Sequence, residues 1–346
     1  MHVLVVNAGS SSLKVRLLDP HDVLLAQLDL APGGLGDALG ELGTVDAVGH
    51  RVVHGGERFR EAVVVDAAVT AELEALTELA PLHQPGSLAG LAAAREALPG
   101  VPHVACFDTA FHATLSPAAY TYALPAQWRE RFPLRRFGFH GLSHAYAARR
   151  AAELGAGGLV VTCHIGAGAS LAAVRDGRSV DTTMGFTPLE GLVMATRSGS
   201  VDPGLVLWLA QRQGMGLDEL SEGLERGSGL LGLAGTADMR EVLARDDDEA
   251  RLAFDVYVHR LRAAIAAMTA ALGGLDALVF TGGVGERSAP VRAAVVDGLG
   301  YLGVALDPAR NEGAGEDGEL GTGVLLVHAR EDLEIARQVR AALAGA

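Results

Sequence analysis

The chain has 346 residues, 49% of them hydrophobic, and a formal net charge of −14, which together predict about two domains with sizeable cores. The acidic balance excludes a nucleic-acid surface, because backbone binding needs clustered Lys and Arg. No apolar run approaches the ~20 residues of a membrane span and no signal-peptide pattern appears, so no membrane association and a cytoplasmic location are expected.

The first predicted element is a hairpin, "HVLVV" and "LKVRLL" around the serine-rich turn from Asn7 to Lys14. Lys14 is the only lysine, and Asn7 shares its residue type with Asn311 alone. In a chain rich in Ala, Leu, Gly and Val, with 27 arginines to one lysine, Arg serves wherever a bare positive charge suffices. A retained Lys then points to its own chemistry, a compact charge on a slim stem that fits among phosphate oxygens in a tight turn.

Further along, "VTAELEALTELAPLH" reads as a helix ahead of a polar turn, "HQPGS". Cys106 and Cys163 show neither metal-ligand nor disulfide spacing and read as small buried residues. "LVVTCHIGAGASLAAVRDG", Leu159 to Gly177, repeats the layout of the opening hairpin, so the α/β alternation predicts two related domains. "RDDDEAR", Arg245 to Arg251, reads as a solvated turn and helix start. "ALVFTGGVGE", Ala277 to Glu286, reads as a strand whose glycine turn starts the helix "RSAPVRAAVVDGL" and aims amides at an anion. Three glycine turns after Val/Leu-rich strands suit a polyphosphate, although none is a P-loop or a dinucleotide fingerprint. "EDLEIARQVRAAL" closes the chain as a helix that packs back on one domain.

Clusters of His, Arg and Asp in Gly, Phe and Pro surroundings carry the remaining chemistry. His140 and His144 have HxxxH spacing but sit in a glycine-containing turn with no acidic third ligand, which disfavours zinc. No G-x-S-x-G elbow supports a serine hydrolase.

The motifs "NAGSSSLK", "HRVVHGGE", "APLHQP", "FDTAFH", "RRFGFHGLSH", "CHIGAGAS", "DTTMGFTPLEGLVMATRSGSVDP", "FTGGVGE" and "EDLEIA" fall in the order and approximate spacing of acetate kinases, and the resemblance spans nearly the whole chain. It implies two related α/β domains of the actin/hexokinase-like (ribonuclease H-like) type with an interdomain active-site cleft. The expected division is residues 1–112 with the closing helix 333–346, and residues 113–332. It also implies direct transfer of the ATP γ-phosphoryl group to acetate, giving acetyl phosphate and ADP with Mg2+ or Mn2+ present, in a homodimer.

Residue by residue, the resemblance implies Arg51, Asp108, His140 and Arg197 as catalytic: the two arginines at carboxylate and phosphoryl group, His140 on phosphoryl oxygens, and Asp108 orienting an arginine. Two guanidinium groups suit a reaction between two anions. It implies Asn7 and Glu331 near the metal, and Ser10, Ser12 and Lys14 at the first phosphate turn. His83 and His164 fall at cleft positions, with Gly166 and Gly168 in the second turn. Asp238, Met239 and Arg240 match the adenosine side, and Gly283, Gly285 and Glu286 the loop near adenine and α-phosphate. Val53, Leu82, Phe139 and Pro188 match the acetate methyl pocket. Read alone, "ADMRE" is equally a helix cap, Asp being a good capping residue.

Three departures stand out. Ala167 replaces the Asn usual between the second turn's glycines, Arg287 replaces another Asn, and Ala329 with Arg330 replaces a Thr-Asn or Thr-Asp pair. The segment between Lys14 and Arg51 is also short. Alternatives are a propionate or other short-chain acyl kinase, an enzyme using another donor such as pyrophosphate, and a non-catalytic nucleotide switch of the actin type.

Overall fold

The computed structural model describes residues 1–8, 13–30, 34, 42–81 and 83–345. The expected site residues Ser10, Ser12 and Leu82 lie outside the described residues. Two compact units divide the chain: the first is Met1–Ala113, Phe139–Tyr146 and Arg330–Ala346, the second Thr114–Gly138 and Ala147–Ala329. The segment Phe139–Tyr146, on the far side of the sequence-based boundary at 112/113, groups with the first unit. Leu142 is part of that unit's core, and the His112 ring bonds the Phe139 carbonyl oxygen at 3.0 Å.

The first unit's sheet contains β1 (Val3–Ala8), β2 (Leu13–Leu18), β3 (Leu24–Leu30), β4 (Ala47–Val52), β5 (Val63–Val64) and β6 (His103–Phe107), in the order β3-β2-β1-β4-β6-β5. Strands β1 to β3 are antiparallel, β4 and β6 join parallel, and β5 closes the edge antiparallel. The second unit contains β7 (Leu159–Ile165), β8 (Ala169–Arg175), β9 (Arg178–Thr182), β10 (Ala277–Thr281), β11 (Gly318–Gly321) and β12 (Val324–Leu326), in the order β11-β12-β10-β7-β8-β9. Its pairing repeats the first: an antiparallel triplet, two parallel additions beside the first strand, and a short antiparallel edge. The echo between the two hairpin sequences is thus an echo of whole sheets.

Side-chain alternation explains how the first sheet is covered on both faces. Val3, Val5 and Leu18 pack against Ile335, Ala336 and Val339 of the closing helix, Glu331–Ala344. Leu4, Val6, Leu13, Val15 and Leu17 face the other way, onto Ala94 of the helix Gln84–Ala97. Gly49 allows the closing helix its approach, since a Cβ there would stand 2.5 Å from Ile335 Cγ2.

Acidic residues serve as helix caps: Asp66, Asp202, Asp247 and Asp307 each accept a backbone N–H of the first turn. The Asp247 cap makes "RDDDEAR" the helix start expected. Two local expectations differ from the structure. "QPGS" is the first turn of the helix Gln84–Ala97, because Pro85 lies in that turn, where a missing N–H does no harm. "GGVGER" is itself a short helix, Gly282–Arg287, broken from the next, Ala289–Asp297, at Ser288. Among the described residues, no helix is long and apolar enough to cross a membrane.

Candidate active site

In the first unit, Asn7 lies near the end of β1, Arg51 lies in β4, Asp108 follows β6 and Glu331 opens the closing helix. The parallel register of β1, β4 and β6 brings the first three to the carboxyl edge of the sheet. Asn7 shares the parity of Val3 and Val5, so its side chain emerges toward that helix, where Nδ2 donates to Glu331 at 3.4 Å. Arg51 Nη2 donates to Asp108 Oδ2 at 2.7 Å, while Nε lies 3.3 and 3.1 Å from the two carboxylate oxygens. Nη1 donates to Asn7 Oδ1 at 3.3 Å, and Glu331 stands 3.7 Å from Nε. Burial works against the Arg51 charge, but Asp108 and then Glu331 outweigh it and raise its pKa. Burial raises the Asp108 pKa, Arg51 opposes it and Glu331 reinforces it.

Lys14 stands opposite Asn7 in the β1–β2 register, and its side chain is exposed. Its strand neighbours by twos, Arg16 and Leu18, reach the closing helix: Arg16 pairs with Asp332 at 3.2 Å and Leu18 joins the core there. Lys14 therefore shares the sheet face that carries Asn7. Arg330, one of the departures, is tied to Asp332 by two bonds of 2.9 Å.

His140 occupies the left-handed region at φ 56°, a conformation that costs a non-glycine residue about 1 kcal/mol or more. Its neighbours hold it there. The Phe139 ring is buried against His54 at 5.6 Å between centroids, and Gly141 N–H donates to the Asp108 carbonyl at 2.9 Å. Any Cβ at Gly141 would collide with that carbonyl oxygen. Asp108 thus fixes Arg51 with its side chain and the His140 turn with its backbone. Val53 and His83 are half-buried, and His83 precedes the helix Gln84–Ala97.

In the second unit, Arg197 and Pro188 lie in the long segment after β9 and are half-buried. The Arg197 turn is tied down on three sides. Ala195 N–H donates to Ala167 at 3.1 Å, Leu230 N–H to Met194 at 3.0 Å, and Ser228 N–H to Thr196 at 3.0 Å. Gly229, at φ 66°, leaves no room for a side chain beside the Met194 carbonyl. Burial lowers the Arg197 pKa, and Glu225, 3.8 Å away, opposes it.

A cavity of about 590 Å³ in the same unit is lined by Gly166, Ala167, Asp238, Met239, Arg240 and Gly283, with Leu243, Val284, Arg287 and Pro290 among the others. Five residues expected on the nucleotide side meet here, and so do two of the departures, Ala167 and Arg287. Gly168, Gly285 and Glu286 are not among the lining residues. Gly168 accepts the Gly166 N–H at 2.9 Å, and Glu286 Oε1 accepts the Gly282 and Ala329 N–H groups at 2.9 and 2.8 Å. Asp238 caps the helix Met239–Ala244, as the sequence alone allowed, and grips the exposed Arg240. His164 sits near the end of β7, opposite Thr281 of β10. Arg292, bonded to the Gly285 and Glu286 carbonyls of the Gly282–Arg287 helix, carried no motif that sequence reading could single out, and its partner Asn311 stood out only as the second of two asparagines.

The repeated sheet, each copy with an antiparallel hairpin and parallel crossovers, defines the actin/hexokinase-like class of fold. The Acetokinase family model matches residues 35–337. The acetate kinase of Leifsonia xyli subsp. xyli is 48% identical over an alignment of 393 positions that covers 99% of each chain. That of Gloeobacter violaceus is 44% identical, with 98% of each chain covered. Among solved structures, Porphyromonas gingivalis acetate kinase superposes with a TM-score of 0.91 at 35% identity, covering 99% of each chain. A propionate kinase from Francisella tularensis subsp. tularensis SCHU S4 also gives 0.91, at 34% identity, covering 98% of this chain and 99% of that one. The chain belongs to the acetokinase family.

Proposed function

We propose that this chain transfers the γ-phosphoryl group of ATP to acetate, giving acetyl phosphate and ADP, and runs the reverse reaction. The observation that carries the reading is the Arg51 guanidinium. Asp108 and Asn7 hold it on three N–H groups, and a guanidinium has five. Two remain to receive an anion whose charge would otherwise repel ATP. The acceptor is already anionic, so no general base is needed. A carboxylate oxygen attacks the γ-phosphorus in line, and the β–γ bridging oxygen leaves with ADP.

Arg197, with no carboxylate nearer than 3.8 Å among the described residues, is the second cation for the moving phosphoryl group, and His140 donates to its oxygens. Lys14, with the Ser10 and Ser12 hydroxyls, serves the phosphate chain. Asp238, Met239, Arg240, Gly283 and Gly166 hold the nucleotide. Val53, Leu82, Phe139 and Pro188 bound the acetate methyl.

Among the described residues no three His, Cys, Asp or Glu side chains gather to hold a metal. The Asn7 amide oxygen and the part-exposed Glu331 carboxylate are hard oxygen donors. They suit a magnesium ion that keeps its waters and takes other ligands from phosphate. Such an ion supplies charge neutralisation on the transferring oxygens.

The likeness to a propionate kinase, equal in TM-score to that with an acetate kinase, favours propionate as a second acceptor. Exposed Val201, Leu205, Leu207, Trp208 and Leu217 in the second unit support a homodimer, and a cytoplasmic location accords with ATP as donor. The deciding experiment traps acyl phosphate as hydroxamate with purified protein, magnesium, ATP and acetate, propionate or butyrate. Product with acetate is expected. No product with any acid or with pyrophosphate as donor, while ATP still binds, would overturn the kinase reading in favour of a switch.

A further inference from the structure

Arg292 is the largest fully buried side chain among the described residues, 1% exposed. A buried arginine ordinarily finds a carboxylate. Arg292 instead finds an amide and carbonyls. Nε donates to Asn311 Oδ1 at 2.7 Å and Nη2 to the Asn311 carbonyl at 2.8 Å. Nη1 donates to the Gly285 and Glu286 carbonyls at 2.9 and 2.8 Å. Asn311, itself buried, completes its own bonding by donating Nδ2 to the Ala289 carbonyl at 3.0 Å. It is the one asparagine of the chain besides Asn7.

Among the described residues no carboxylate bonds the guanidinium, and the acidic groups around it offset its charge only in part. Glu312 is the carboxylate whose field reaches Arg292, and it is exposed. The Glu286 carboxylate is occupied by the Gly282 and Ala329 amides. The two carbonyls that Arg292 grips belong to the short helix Gly282–Arg287, whose Gly283, Val284 and Arg287 line the cavity of about 590 Å³. A cation is therefore buried directly behind the lining, where low dielectric preserves its field.

We propose that Arg292, held by Asn311, is a positioning residue that fixes the Gly282–Arg287 turn, and that its positive charge, bonded by no carboxylate, draws nucleotide phosphates into the cavity which that turn lines. The neutral partner is the essential feature. Aspartate at 311 would keep an acceptor for the guanidinium and cancel its field, at the loss of the bond to the Ala289 carbonyl. The inference rests on the nucleotide reading of the cavity.

The test compares ADP with adenosine by calorimetry on the full chain, because adenosine fills the base and ribose contacts without phosphate. For Asn311→Asp, ADP affinity should fall about tenfold and adenosine affinity should stay within about twofold, with the melting temperature lowered by loss of the Ala289 bond. Arg292→Met combined with Asn311→Leu removes the charge together with the grip on the Gly285 and Glu286 carbonyls, so it should lower ADP affinity by clearly more than adenosine affinity, and it serves where the first variant misfolds. Unchanged ADP affinity in either folded variant overturns the inference, as does an equal loss of ADP and adenosine. Wild-type protein that binds neither ligand would overturn the nucleotide reading itself. An ADP-competent wild type with insensitive variants would overturn the charge argument alone.

Discussion

Asp108 holds Arg51 at two points, with Nη2 at 2.7 Å and Nε at 3.1 Å from Oδ2, and its own carbonyl receives the Gly141 N–H beside His140. One buried residue thereby sets both the Arg51 guanidinium and the left-handed His140 turn. Asp108→Asn keeps the shape and loses the charge. Removing one partner of a buried pair costs about 3–5 kcal/mol, and removing an orienting group costs roughly 10–100-fold in activity. The variant should show lower kcat and a lower melting temperature together; turnover within threefold of wild type would count against the role given to Arg51.

Periodicity made the sheets legible. "LKVRLL" alternates so strictly that Leu13, Val15 and Leu17 pack on one face while Lys14, Arg16 and Leu18 take the other. The same reading of the second hairpin located β7 and β8. What escaped has physical reasons. Nothing local marks Arg292 among the many arginines as fully buried, because its partners lie 6, 7 and 19 residues away along the chain. The attachment of Phe139–Tyr146 to the first unit depends on His112 and on the packing of Leu142, contacts that no spacing rule encodes.

Lys14 bears a different test. It lies opposite Asn7, on the sheet face that reaches Glu331. Lys14→Arg keeps the charge and widens the head, so a site that needs a slim cation among phosphate oxygens should lose at least about tenfold in kcat with little change in folding. Hydroxamate assay at saturating ATP measures it. Wild-type turnover would show that charge alone suffices.

Acid sensitivity should come from the first unit's buried histidines. Burial, aided by His103 and Arg95, lowers His50 to about 3, and burial lowers His54 to about 4, from the ordinary 6.5. The unfolded chain takes up these protons as pH falls through 6.5, and the folded chain does not until those lower values. Their contribution is thus intact above 6.5 and is lost below it, on the order of 2 kcal/mol for each ring by about pH 5. His50→Gln should flatten the fall in melting temperature between about pH 7.5 and 5. A slope equal to wild type would assign the sensitivity elsewhere.

Ala167 and Arg287 line one cavity, so their effects on nucleotide should be coupled. An arginine at the cavity rim contributes about 1 kcal/mol to an exposed phosphate contact, close to fivefold in affinity. Arg287→Ala should therefore raise the KM for ATP by about that factor and leave the KM for acetate unchanged. Ala167→Asn restores an amide donor beside the glycine turn and should recover part of the loss in the Arg287→Ala background while adding little to wild type. Residues that share a ligand are non-additive in this way, whereas independent ones add within about 0.5 kcal/mol. Strict additivity in the double-mutant cycle, or an Arg287→Ala variant that binds ATP as wild type does, would show that the arginine is not compensating for the missing amide.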